Sequence, residues 1–310
     1  MQRRHFLRAT AAAAVAGIAP FAASAQAAAE PGARPGPHKF KLRYAPHFGM
    51  FEASAGKDLL NQLRFMAEAG FTALEDNNLM KRPASLQAQI GETLTRLGMT
   101  MGVFVIDAGD NWKTSYTTGR KEFTAAFVKA CREAVESAKR VHAKWMTIVP
   151  GYFDRSLPVG IQTGHVIDAI RAGAEVMEPQ GLILVMEPLS DNPDLFLRTS
   201  DQAFAIARAV NSPSCKVLYD IYHMQRNEGF LTEHIDLAWD EIAYFQIGDV
   251  PGRKEPTTGE INYRNLLRHI HDRMRSDGRD FVFGMEHGNA APGVEGERAL
   301  IRAYVEVDDF

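Results

Sequence analysis

From residue 39 onward the sequence alternates, eight times over, a short run rich in β-branched and aromatic residues with a longer amphipathic stretch. The strand-like runs cover residues 40–46, 71–75, 100–107, 144–150, 182–187, 216–220, 242–247 and 281–286. Between them lie helix-length segments at 57–69, 85–97, 122–142, 164–177, 200–210, 232–239 and 263–275, with a last one at 295–304. Strands separated by helices run parallel, because each return to the same sheet edge needs a crossover. Eight such units closing on themselves predict an α/β fold of the (β/α)8 TIM-barrel type. Gly70, Gly98 and Gly181 stand where helix ends favour a left-handed residue, which supports this phase. A doubly wound open sheet is the competitor, but no glycine-rich phosphate turn follows the first strand.

The first 27 residues are built differently. A basic start, Arg3-Arg4-His5-Phe6-Leu7-Arg8, precedes an alanine-rich apolar run over 9–23 and small residues through Ala27. That is the three-part plan of an export signal, and its arginine pair resembles the twin-arginine type. The reading assigns 1–27 to a cleaved signal handled by the twin-arginine export machinery, 28–38 to a Pro- and Gly-rich lead-in, and 39–310 to one barrel domain in the periplasm. The apolar run falls short of the ~20 residues that span a bilayer, and no later stretch reaches that length without charges. A soluble mature chain is therefore expected, and a homo-oligomer is compatible with the sequence.

Composition narrows the partners. The formal charge is −3, and removing Arg3, Arg4 and Arg8 with the signal takes it to −6, so nucleic acid has no basic footprint to bind. Two cysteines, Cys131 and Cys215, are too few for a disulfide framework.

In a parallel barrel the chemistry sits at the C-terminal ends of the strands. The last four runs end alike: Leu182-Ile183-Leu184-Val185-Met186 in Glu187, Lys216-Val217-Leu218-Tyr219 in Asp220, Ile242-Ala243-Tyr244-Phe245 in Gln246, and Phe281-Val282-Phe283-Gly284-Met285 in Glu286. Three carboxylates gathered at one mouth repel unless a cation lies between them. Two Glu, one Asp and one amide oxygen suit a single hard divalent ion, Mg2+ or Mn2+, better than zinc. His223 follows Asp220 on what reads as a loop and is placed to hydrogen-bond a substrate oxygen. Arg253, after Pro251 and Gly252, is placed to hold an oxyanion or carboxylate. In the first half, His47 after the first strand is a third candidate for substrate binding. Glu75-Asp76-Asn77, Asp107, Trp112 and Tyr116 could line the mouth, cap helices or simply pack.

Five motifs carry a family resemblance: Met186-Glu187-Pro188-Leu189, Asp220-Ile221-Tyr222-His223-Met224-Gln225, the run from Phe245 to Arg253, the run from Glu255 to Tyr263, and Gly284-Met285-Glu286. In these the chain resembles the hydroxypyruvate isomerase family within the xylose-isomerase-like barrels, which also hold sugar epimerases and an apurinic endonuclease branch. The resemblance implies that Glu187, Asp220, Gln246 and Glu286 bind one divalent metal and that Glu187 and Glu286 form the acid-base pair. It implies proton transfer through an ene-diolate on a small sugar or hydroxy-keto acid, as an isomerase or epimerase. The endonuclease branch carries additional histidines for several zinc ions, whereas here the seventh strand offers Gln246. A lyase acting on 3-keto-glycosides by the same proton abstraction, and a non-catalytic periplasmic sugar-binding protein, are the alternatives the residues leave open.

Overall fold

The computed structural model describes residues 38–310; the signal and all but the last residue of the lead-in lie outside the described residues. Nine parallel segments form the sheet: β1 Arg43–Ala45, β2 Ala73–Leu74, β3 Thr100–Met101, β4 Phe104–Val105, β5 Trp145–Ile148, β6 Ile183–Met186, β7 Cys215–Asp220, β8 Ile242–Gln246 and β9 Val282–Gly284. The helices are α1 Glu52–Ala55, α2 Leu59–Glu68, α3 Ala84–Leu97, α4 Lys121–Val141, α5 Val159–Met177, α6 Ser200–Val210, α7 Ile221–Asn227, α8 Leu231–Ala238, α9 Tyr263–Asp277 and α10 Gly293–Asp308.

The ladder runs β1-β9-β8-β7-β6-β5-β4, and β2 pairs with β3. Two short links bring the ring together. His47 bridges Glu75 in parallel register beyond β1 and β2, with the Glu75 N–H donating to the Pro46 carbonyl at 3.0 Å. β3 and β4 are two pieces of the single strand expected at 100–107. At Gly102, between them, a Cβ would overlap the Tyr244 hydroxyl that crosses the barrel interior, so the position needs glycine. Eight strands therefore enclose the lumen, as the alternation predicts.

Strand periodicity sorts the side chains into two cores. Ala45, Ala73, Val103, Trp145, Val185, Leu218, Tyr244 and Val282 pack together in the lumen, while residues of opposite parity such as Leu184, Met186, Val217, Tyr219, Phe245 and Phe283 face the helices. Counting on by two from Ala73, Val185, Leu218, Tyr244 and Val282 reaches Glu75, Glu187, Asp220, Gln246 and, past Gly284, Glu286. The parity that builds the apolar lumen thus also delivers the polar groups to its mouth.

Two expectations shift. The helix read at 164–177 begins at Val159, directly after Pro158, and His223 lies in the first turn of α7 rather than on a loop. The second correction follows from Asp220, whose Oδ1 accepts the backbone N–H of Tyr222 at 2.8 Å and of His223 at 3.4 Å and so starts a helix at once. Gly98 and Gly181 take the left-handed conformation expected of them.

Cys131 and Cys215 are fully buried, and burial pushes both thiols up to about 12. Folded protein at pH 8 is expected to leave both unlabelled by a thiol reagent that titrates two thiols after denaturation. Rapid labelling without unfolding would contradict this packing. Among the described residues no helix is long and apolar enough to cross a membrane.

Candidate active site

At the C-terminal mouth of the barrel lies a cavity of about 470 Å³, lined among others by Asn77, Lys81, Trp112, Thr147, Glu187, His223, Arg253 and Glu286. Ligand-capable atoms of Glu187, Asp220, His223 and Glu286 all fall within 4.8 Å of one another. Strand ends place three of these four groups, and the helix that Asp220 caps places the fourth.

The electrostatics follow from crowding. Glu187 is 5% exposed, and its carboxyl is raised well above the ordinary value by burial, then by Glu286 and Asp220. Burial pushes Glu286 up to about 7, Arg253 opposes this, and Asp220 adds to it. Glu286 Oε1 accepts from Asn77 Nδ2 at 2.8 Å, and Oε2 accepts from an Arg253 guanidinium nitrogen at 2.6 Å. The same nitrogen reaches Asp220 Oδ2 at 3.1 Å, so one cation spans two carboxylates. Burial works against the charge on Arg253, but Asp220 and Glu286 outweigh it and hold the guanidinium protonated. Its plane lies over the Tyr222 ring, 4.9 Å from the centroid.

The tautomer of His223 follows from its partners. The Ser190 backbone N–H donates to Nδ1 at 3.2 Å, and the Ser190 hydroxyl lies 2.8 Å from the same nitrogen. A backbone N–H can only donate, so Nδ1 accepts and the ring proton sits on Nε2. Nε2 faces Asp220 Oδ2 at 3.4 Å and Glu187 Oε1 at 3.8 Å. Burial lowers the His223 pKa, and a neutral ring with its N–H aimed into the cluster is a donor rather than a metal ligand.

Gln246 completes the oxygen set. Its Nε2 donates to Glu75 Oε1 at 2.8 Å, while Oε1, like Glu187 Oε1, is buried without a hydrogen-bond partner. Buried oxygens left unsatisfied beside three carboxylates suit a divalent cation held by Glu187, Asp220, Gln246 and Glu286.

The remaining candidates divide. His47 is half-buried, its Nδ1 2.9 Å from the Phe48 carbonyl and its Nε2 3.1 Å from that of His287, and it does not line the cavity. Asp76 is taken up by Arg82 at 2.5 Å and 2.9 Å. Tyr116 packs against Phe127, whereas Trp112 is half exposed at the rim. Three groups were unranked or unseen in the sequence: Asn77 on Glu286, Ser190 on His223 and Glu75 on Gln246. Lumenal parity was the available signal for Glu75; the other two approach from loops, where no periodicity applies.

Similarity to known proteins agrees with this geometry. The chain is 27% identical over 256 residues to the putative hydroxypyruvate isomerase of Homo sapiens, covering 78% of this chain and 88% of that one. It is 30% identical over 226 residues to the 2-oxo-tetronate isomerase of Cupriavidus necator, covering 69% and 83%. The hydroxypyruvate isomerase of Escherichia coli matches at 38% over 119 residues, covering 36% of this chain and less than half, 46%, of that protein's length. Among solved structures, a family 2 AP endonuclease of Brucella melitensis superposes with a TM-score of 0.69 at 24% identity, covering 82% of this chain and 96% of that one. The 3-keto-D-glucoside 4-epimerase of E. coli gives 0.69 at 17%, covering 86% and 99%. The sequence model of the xylose isomerase-like TIM barrel matches residues 63–304. With the closed parallel barrel and its polar mouth, that match over most of the chain means that the protein belongs to the xylose isomerase-like TIM-barrel family.

Proposed function

We propose that this protein is a divalent-metal-dependent isomerase of small hydroxy-keto acids, moving a proton between adjacent carbons through an ene-diolate. The convergence of Glu187, Asp220 and Glu286 within 4.8 Å, with the His223 N–H turned toward them, carries this reading. Glu187, Asp220, Gln246 and Glu286 would hold the metal ion, which when bound supplies positive charge to stabilise substrate oxygens. Glu286, steadied by Asn77 and Arg253, takes the proton from the hydroxyl-bearing carbon beside the carbonyl, protonated Glu187 gives its own proton to the former carbonyl carbon, the hydroxyl proton passes to the former carbonyl oxygen, and the two carboxyls reset by exchange with solvent. His223 Nε2–H donates to the oxygen on which negative charge develops. Lys81 and Arg253 are the lysine and arginine lining the cavity, and a substrate carboxylate is a natural partner for Lys81. The names of the hydroxypyruvate and 2-oxo-tetronate isomerases among its relatives favour a keto acid over a neutral ketose. Residues 1–27 would send the enzyme through the twin-arginine route to the periplasm.

The test is proton exchange in deuterated water. Protein loaded with Mn2+ or Mg2+ should incorporate deuterium at the α-carbon of hydroxypyruvate or a 2-oxo-tetronate, and a chelator should abolish it. Turnover of neutral ketoses alone would shift the substrate class. Release of an aglycone from a 3-keto-glycoside would make the enzyme a lyase, and tight sugar binding indifferent to chelator would make it a binding protein.

A further inference from the structure

Beside the cluster of carboxylates, one further acidic side chain faces the lumen. Glu75 is 1% exposed and sits just beyond β2, where it accepts a hydrogen bond on each oxygen: from Gln246 Nε2 at 2.8 Å on Oε1 and from the Tyr244 hydroxyl at 3.1 Å on Oε2. Both donors come from β8, two residues apart on its lumenal face. The lumen is cleared for this arrangement on two strands. A Cβ at Gly284, on the lumenal face of β9, would overlap Glu75 Oε2, and one at Gly102 would overlap the Tyr244 hydroxyl. Neither glycine has a positive φ, so the empty space rather than backbone conformation accounts for them.

A carboxamide has two ends of similar size and opposite polarity, and nothing in its shape decides which faces an ion. Glu75 decides it: its Oε1 accepts from the Gln246 NH2 and so leaves Gln246 Oε1 at the far end of the amide, turned away from Glu75, where it is buried and without a partner. We propose that Glu75 is a positioning residue that fixes the Gln246 amide with its oxygen toward the carboxylate cluster, and so sets the affinity of that cluster for a divalent cation. This rests on the metal reading above but concerns a group outside the ligand set. Glutamine at position 75 could still accept from Tyr244 while offering its own NH2 to Gln246. The Gln246 amide would then turn over and present NH2 to the cation.

The experiment titrates metal-free protein with Mn2+ alone and follows free Mn2+ by electron paramagnetic resonance. Glu75→Gln should weaken binding about ten-fold or more, the range for partners that orient metal ligands. Because Glu75 acts through Gln246, the same change made in Gln246→Ala should add nothing, whereas a general structural loss would add in full. Should Glu75→Gln not fold, Glu75→Asp takes its place; it withdraws the acceptor from Gln246 Nε2 by one methylene and should weaken Mn2+ binding a few-fold, again only while Gln246 is present. Wild-type affinity in these variants, or a loss undiminished in Gln246→Ala, overturns the proposal and leaves the metal reading intact. Wild-type protein that takes up neither Mn2+ nor Mg2+ overturns both.

Discussion

Replacing Glu286 by glutamine is expected to lower kcat for isomerisation by about 10³-fold, the middle of the range for removing a positioned acid or base. Glutamine keeps the size and the oxygen that accepts from Asn77 Nδ2, so the mouth of the barrel should hold its shape. What it loses is the ability to accept a proton, together with a negative charge that faces Arg253 and the metal site, so metal content is measured beside kcat. Deuterium exchange at the α-carbon should fall in step with kcat, since exchange reads the proton transfer directly. Wild-type exchange in Glu286→Gln would remove Glu286 from the role of base. Exchange that persists while product formation stops would instead assign it to the return of the proton, leaving Glu187 as the base.

A second large effect is expected from a residue outside the metal and acid-base set. Arg253 is carried by the segment after β8, and that segment is organised on one buried carboxylate. Asp249, 1% exposed, accepts the backbone N–H of Val250 at 2.9 Å and of Ile261 at 3.1 Å on Oδ1, and of Gly259 at 2.9 Å on Oδ2. Its own backbone N–H donates to the Lys254 carbonyl, and its carbonyl accepts from the Arg253 N–H, each at 2.8 Å. Asp249→Ala leaves three donors without their acceptor, each costing ~1–3 kcal/mol where water does not replace it. A loss of roughly 3–5 kcal/mol in unfolding free energy is expected from denaturant titration, with kcat/KM falling because Arg253 loses its seat. Asp249→Asn retains the acceptor shared by Val250 and Ile261 and should lose less. Equal stability of Asp249→Ala and wild type would show that the segment is held by other means.

What could be read from the chain divides by physical cause. The alternation of strand and helix announced the barrel because each element buries one face at its own period, and Glu187, Asp220, Gln246 and Glu286 were visible because each ends an apolar run. The need for glycine at 102 was not legible, since it depends on the Tyr244 hydroxyl reaching across the lumen from a strand some 140 residues later in the sequence. His223 could be singled out as a donor, but its tautomer is decided by Ser190, on a segment after β6 that no local pattern ties to α7. His47 looked equivalent to the strand-end residues by position, yet its ring turns to two backbone carbonyls. A strand end fixes where a residue stands and leaves open which neighbour it meets.

The mouth of the barrel has two unlike walls. β6 to β9 contribute Glu187, Asp220, Gln246 and Glu286, all at or just beyond strand ends, whereas the facing wall comes from the segments after β2 and β4, with Lys81, Asp107, Asn111 and the half-exposed Trp112. On the proposed reading, the acid-base pair stands on one wall with His223 and Arg253, and the facing wall adds Lys81 and Trp112 around the rest of the substrate. A redesign for a longer or uncharged substrate can be confined to a library over residues 78–81 and 107–112, with every proton-handling group left as it stands.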